Sequence, residues 1–194
     1  MNLQENIHRI KEVMGLLKEQ VDLSSSNFHK IPLGTNNFRS GELSAENLKN
    51  AIKTNKIKNI IRFNGDGRDS KGLSMEDEKK ICESLGCKFL FLDAVKDQSV
   101  VNSVLDKGYT IIHCRNGMDR TGGNVGGWLY SKGWGNTKKI WDYTVQYNTW
   151  EDELNKKRPC IGNCWSNKPI GRHLEQAMKF GVKNYEHALN LIKK

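Results

Sequence analysis

In the stretch YTIIHCRNGMDRTGG, residues 109–123, an apolar run ends on a single cysteine, Cys114. Arg120, Thr121 and a pair of glycines follow closely behind it. A thiol attacks as its thiolate, and an ordinary cysteine is mostly protonated at neutral pH. A cysteine at the carboxyl end of a strand, just ahead of a helix, is ringed by backbone N–H groups and faces the positive end of the helix dipole. Both effects favour the anion. Gly117 and Gly122 supply the backbone freedom that so tight a nest needs. Arg120 brings a planar, permanent cation whose fork holds two phosphoryl oxygens and follows the charge as a phosphoryl group moves. Thr121 is placed to hydrogen-bond the sulfur and help expel the thiolate. His113, just before the thiol, is expected to order the loop through its ring. Together these types and spacings describe a phosphate cradle with a nucleophile at its floor. A buried strand-end cysteine before a glycine turn, the plain alternative, accounts for neither Arg120 nor Thr121.

The flanking sequence supplies elements to hold such a loop. Apolar residues at Leu3, Ile7, Ile10, Leu17 and Val21 have helical spacing, which predicts an amphipathic helix over 1–21. The polar, turn-rich run from Asp22 to Glu42 ends in a short extended piece around Asn37–Arg39. SAENLKNAIKTNK and SMEDEKKICESLG each begin with a serine cap, and QSVVNSVLDKG predicts a shorter helix. Between them IKNIIRF, CKFLFL and YTIIHC read as strands. Each strand is a short apolar run rather than an alternation, and strands alternate with helices. That pattern predicts one α/β domain over 1–194, with a mainly parallel sheet and helices on both faces. The helices TGGNVGGWLYSKG and TKKIWDYTVQYNTWEDELNKK follow the loop, and a helical extension over 149–194 closes the chain.

With 194 residues, 37% of them hydrophobic, there is enough material for one buried core. Lys and Arg number 31 against 22 Asp and Glu, a formal charge of +9, which favours anionic partners or simply keeps the chain in solution. The five cysteines are an odd number, the charged N-terminus has no apolar core of a signal peptide, and no run approaches the ~18 apolar residues of a membrane span. A reducing, cytoplasmic setting with free thiols is the expectation. The spacings of CESLGC and CIGNC suit zinc poorly, and no metal is expected. The tryptophans Trp128, Trp134, Trp141, Trp150 and Trp165 fall mainly in helical segments and read as packing rather than as base-stacking platforms.

HCRNGMDRTG resembles the H-C-x-x-G-x-x-R-[ST]-G signature of the cysteine-dependent protein tyrosine and dual-specificity phosphatase superfamily. His113, Cys114, Gly117, Arg120, Thr121 and Gly122 fill every fixed position. The weaker likeness around it runs from about Asn37 to Asn148. It implies a compact phosphatase-like fold and a metal-independent, cofactor-free hydrolysis of phosphate esters through a cysteinyl-phosphate. It also implies a substrate cradle running through Arg115, Asn116, Gly117, Met118 and Asp119 to Gly122. Arg115 is expected to point outward and raise the potential at the entrance, and Arg39, in an Arg-Ser-Gly corner, to border the pocket or pack on the sheet edge. Some relatives protect the thiolate as a disulfide, but no pairing of Cys114 with Cys82 or Cys87 is expected.

The resemblance further requires an acid for the leaving oxygen and a base for water. Asp93, ending CKFLFLD, is the first choice, with Asp97 and Asp119 as alternatives. Asp119 is similar to an aspartate of a bacterial subgroup that accepts phosphoinositides, although Met118 stands where that subgroup carries lysine. Relatives acting on RNA 5′-triphosphate ends carry His and Asn where this chain has Asn116 and Asp119. The expected partner is therefore a phosphorylated protein, tyrosine or dual-specificity, with a phosphoinositide, an inositol phosphate or an RNA 5′ end as alternatives. Nucleic acid is expected only as a substrate. A silent phosphate-binding module is the rival from another class. Substrate class and oligomeric state stay open at this level.

Overall fold

The structure is a computed structural model that describes residues 23, 26–67, 72–136, 139–140 and 143–144. The amphipathic helix expected over 1–21 and the extension over 149–194 lie outside the described residues. Five strands form one sheet in the order β1-β2-β5-β3-β4. They are β1 (His29–Lys30), β2 (Phe38–Ser40), β3 (Asn59–Arg62), β4 (Lys88–Phe91) and β5 (Thr110–His113). All neighbours pair in parallel except β1 with β2. Among the described residues α1 (Ala45–Asn55), α2 (Met75–Ser84) and α3 (Gln98–Lys107) link the strands from β2 to β5, and α4 (Asp119–Ser131) follows β5. This is the single, mainly parallel α/β domain expected from the alternation of strand and helix. The two-residue β1 lies in the run read as turn-rich, because so short a strand leaves no period in the sequence.

The apolar strand runs follow from a sheet covered on both sides. Ile60 and Ile111 are in register and pack with Leu48, Ala51 and Ile52 of α1 and Cys82 of α2. Their neighbours Ile61 and Ile112 pack on the opposite face with Val101 and Leu105 of α3 and Val125, Trp128 and Leu129 of α4. Burying each such isoleucine contributes about 2 kcal/mol. Ser44 and Ser74 cap α1 and α2 as their sequence suggested, accepting the N–H groups of Asn47 and Asp77 at 3.2 and 3.1 Å. Among the described residues no helix is long and apolar enough to cross a membrane.

The parallel strands β2, β3 and β5 place their carboxyl ends side by side, Ser40 and Arg62 both in register with His113. Cys114 is therefore the first residue beyond the centre of the sheet, where open α/β folds place their sites.

Candidate active site

From Cys114 the chain bends through residues 115–118 and enters α4 at Asp119. Cys114 is 3% exposed. Three consecutive carbonyls of this loop are tied to groups outside it. Arg115 O accepts the Glu42 N–H at 3.3 Å, Asn116 O accepts Asn27 Nδ2 at 3.1 Å, and Gly117 O accepts an Arg39 guanidinium N–H at 2.7 Å. In a planar trans peptide the N–H points opposite to the C=O. Committing these carbonyls turns the N–H groups of Asn116, Gly117 and Met118 the other way, which makes an anion nest.

Gly117 is required at its position. Its φ is 71°, and a Cβ there would lie 2.5 Å from Gly41 N and Ser40 C. The loop presses directly on the Arg-Ser-Gly corner that closes β2. Arg39 itself is fully buried within an interior strand. It lines neither the pocket mouth nor the sheet edge but braces the loop from behind, with its guanidinium 5.8 Å from the Tyr143 ring centroid. Arg115 is half-buried with its Nε covered, and its carbonyl is drawn against the Glu42 N–H.

Arg120 stands in the first turn of α4 and donates to Phe63 O at 3.3 Å, across from the end of β3. Thr121 is fully buried, and its Oγ1 has no hydrogen-bond partner among the described residues. The bond to the sulfur suggested by its position is not made in this geometry. Asp119 opens α4 as the acidic residue of its first turn, and Met118 O accepts the Gly122 N–H at 2.6 Å.

The aspartates after β4 are differently employed. Asp93 is exposed, and its Oδ1 accepts the N–H groups of Val95 and Lys96 at 2.8 and 3.0 Å. Asp97 Oδ2 accepts the Asp93 N–H at 2.7 Å. The two carboxylates thus close the same turn. That turn is docked on α4, where Asn124 Nδ2 donates to Ala94 O at 2.9 Å.

Behind the loop lies a buried ionic cluster that sequence reasoning did not find. His113 Nε2 is 2.9 Å from Glu78 Oε1, and the other Glu78 oxygen accepts from Arg62 at 2.7 Å. Arg62, fully buried, also donates to Glu42 at 3.1 Å and Asp66 at 3.2 Å. Burial pushes the Glu78 carboxyl up, but His113 and Arg62 outweigh it and hold the group below its ordinary value. The sequence signal was faint: Arg62 ends an otherwise apolar strand, and Glu78 passed as one of three acidic residues favouring a helix start. Cys82 and Cys87 belong to the core on the α1–α2 face, whereas Cys114 belongs to the core on the α3–α4 face. The sheet separates them. Cys160 and Cys164 are outside the described residues.

No protein-family model matches the sequence, and no curated protein is significantly similar to it. Solved structures do share the fold. The core catalytic domain of the PP-IP phosphatase SIW14 from S. cerevisiae superposes with a TM-score of 0.51 at 17% identity, covering 68% of this chain and 84% of that one. For TpbA from P. aeruginosa in complex with pTyr the TM-score is 0.51 at 17% identity, with 84% and 96% covered. A PTP-like phytase from Bdellovibrio bacteriovorus gives 0.53 at 15% identity, with 84% and 83% covered. The fold is that of PTP-like phosphatases.

Proposed function

We propose that the protein is a phosphoric monoester hydrolase working through a cysteinyl-phosphate. The observation that carries this reading is the loop after β5, where a thiol, three outward-tied carbonyls and Arg120 share one bend. In the first step Cys114 Sγ attacks phosphorus in line while the P–O bond to the leaving group breaks. The loop N–H groups and Arg120 hold the equatorial oxygens, offsetting the repulsion between sulfur anion and phosphate. In the second step water attacks phosphorus and loses a proton to the carboxylate that protonated the leaving group. The S–P bond breaks toward sulfur, inorganic phosphate leaves, and the Thr121 hydroxyl, which has no hydrogen-bond partner among the described residues, stabilises the departing thiolate.

We assign the proton donor to Asp119 rather than to Asp93. Asp119 is the first residue of α4, directly after the loop and beside Arg120. Asp93 would have to give up the two hydrogen bonds it accepts from the N–H groups of Val95 and Lys96.

A phosphotyrosine or dual-specificity protein phosphatase is the first substrate class, supported by the likeness to a structure bound to pTyr. An inositol-phosphate substrate is the second, supported by the likeness to a PP-IP phosphatase and a PTP-like phytase. The test is phosphate release from a phosphotyrosine peptide, an inositol phosphate, a phosphoinositide and 5′-triphosphorylated RNA at equal concentration, with Cys114→Ser as the blank. Release that vanishes in the variant is expected, and the fastest substrate names the class. No release from any of them, with oxyanions still bound, would leave a phosphate-binding module.

A further inference from the structure

The peptides on both sides of the thiol hang from one buried carboxylate. On the N-terminal side, Glu78 Oε1 is 2.9 Å from Nε2 of His113, the residue before Cys114. On the C-terminal side the path runs from Glu78 Oε2 to Arg62 at 2.7 Å and from Arg62 to Glu42 Oε1 at 3.1 Å. It ends at the Glu42 N–H, which donates to the carbonyl of Arg115, the residue after Cys114, at 3.3 Å. A branch reaches the arginine as well. Arg62 Nε donates to Asn64 O at 2.8 Å, and Asn64 Nδ2 donates to Glu42 at 2.7 Å, fixing the segment whose Phe63 carbonyl receives Arg120.

We propose that Glu78 is a positioning residue for the nucleophile loop, setting the place of Cys114 through His113 and that of the oxyanion nest through Arg62 and Glu42. The proposal rests on the reading of Cys114 and Arg120 as nucleophile and phosphate clamp. Glu78 touches neither substrate nor sulfur.

Three features separate this from ordinary core stabilisation. Buried ion pairs are weak contributors to net stability, because desolvating the charges offsets their attraction. Arg62, Glu78 and His113 are nevertheless all within 5% of full burial, and the side chain of Glu42 is 4% exposed. The cluster also sits at the carboxyl ends of β3 and β5, beneath the loop, rather than at the opposite end of the sheet. Its hydrogen bonds end on the three backbone segments that carry or receive Cys114, Arg115 and Arg120. A planar guanidinium held by single bonds to Glu78, Glu42 and Asp66, and through its Nε to Asn64 O, has little angular freedom, so the geometry it transmits is stiff.

The test uses the full chain and tungstate, an unreactive oxyanion, as probe. Wild type is expected to be stabilised by tungstate in thermal unfolding. In Glu78→Gln, which keeps shape and loses charge, that shift should fall to about a third or less. With the preferred substrate kcat should fall about tenfold to a hundredfold, the scale of a sub-ångström to ångström misplacement of reacting groups, while KM moves less than about threefold. In a His113→Asn background the same substitution should cost less than it does in wild type, because one of its two routes to the loop is already cut. A folded Glu78→Gln protein with wild-type tungstate shift and kcat overturns the proposal, as do losses that multiply independently in the two backgrounds.

If Glu78→Gln does not fold, Glu78→Asp keeps the charge and shortens the reach. A reduced tungstate shift there supports the proposal and an unchanged one overturns it. Absence of phosphate release by wild type, with a tungstate shift that Glu78→Gln loses, would defeat the phosphatase reading and leave the positioning role standing. A wild type that does not respond to tungstate defeats both.

Discussion

Cys114 and the pair Cys82–Cys87 are all buried, free thiols packed on the apolar cores of one sheet, yet of the three Cys114 alone also opens the loop of committed carbonyls. Cys82 and Cys87 lie among Leu48, Ile52, Ile60 and Ile111, where the hydrogen bond between the two thiols and burial push the Cys82 thiol up from its ordinary value. Cys114 ends its strand against a loop of committed carbonyls, a guanidinium and the start of a helix. Side-chain type does not separate these cysteines; what the backbone does around each of them does. A thiol in hydrocarbon is a small apolar residue, and backbone N–H groups around a thiol are the surroundings in which a cysteine can act as a nucleophile.

Exchanging the thiols one at a time tests this contrast most severely. Cys114→Ser should lose more than about 10³ in kcat with little change in Tm, since the cysteinyl-phosphate cannot form without the thiol. Cys82→Ala should keep kcat within about twofold and lose about 1–2 kcal/mol of stability on denaturant unfolding. A Cys82 variant as inactive as Cys114→Ser would end the comparison. The proton donor comes next. Asp119→Asn should lower kcat about 10²–10³-fold on alkyl phosphates and less on aryl phosphates with good leaving groups, while Asp93→Asn stays near wild type. The reverse ranking would restore Asp93.

Gly117→Ala places a methyl against Gly41 and Ser40 at a φ of 71°. It should cost about 2–4 kcal/mol in unfolding experiments and abolish tungstate binding in whatever folds. A smaller effect is expected from pH. The Glu78 carboxyl is held below its ordinary value of 4.5, so protonation favours the unfolded chain. Its stabilisation is complete above that ordinary value and is lost as pH falls through the lower folded one. Acid unfolding of Glu78→Gln should therefore be less steep below about pH 4.5 than that of wild type. The mildest test is brief alkylation of native protein by iodoacetamide with peptide mass mapping, in which Cys114 should react before Cys82 and Cys87. Equal labelling of the three would show that burial alone governs them.

Much of the fold was legible because its signals are local. The serine caps at Ser44 and Ser74, the apolar strand runs and the glycine-rich bend after Cys114 each announce themselves within a few residues. The spacing of Cys114, Gly117, Arg120 and Thr121 was legible for the same reason, since a phosphate cradle is built by one short loop. Arg39, Glu42, Arg62 and Glu78 were not legible in their roles. Each has an ordinary reading in its own segment, as a corner arginine, a loop acid, a strand end and a helix-start acid. Their contacts bridge 78 residues in the bond of Arg39 to Gly117 and 35 in that of His113 to Glu78. Asp93 shows the converse: its place after β4 suggested an acid, and only the folded turn reveals that Val95 and Lys96 hold its carboxylate.

The sequence by itself thus determined the order of strands and helices from β2 to α4, the α/β class and the loop where a thiol and an arginine meet. Those features depend on neighbours in the chain, where periodicity and spacing carry the information. Tertiary structure alone decided the strand order that brings β2 and β3 to either side of β5. It also decided which face Cys82, Cys87 and Cys114 occupy and which distant carboxylate stands behind Cys114. Those depend on which groups, far apart in the chain, must share a low-dielectric interior. There a buried guanidinium finds its carboxylates wherever the fold has placed them.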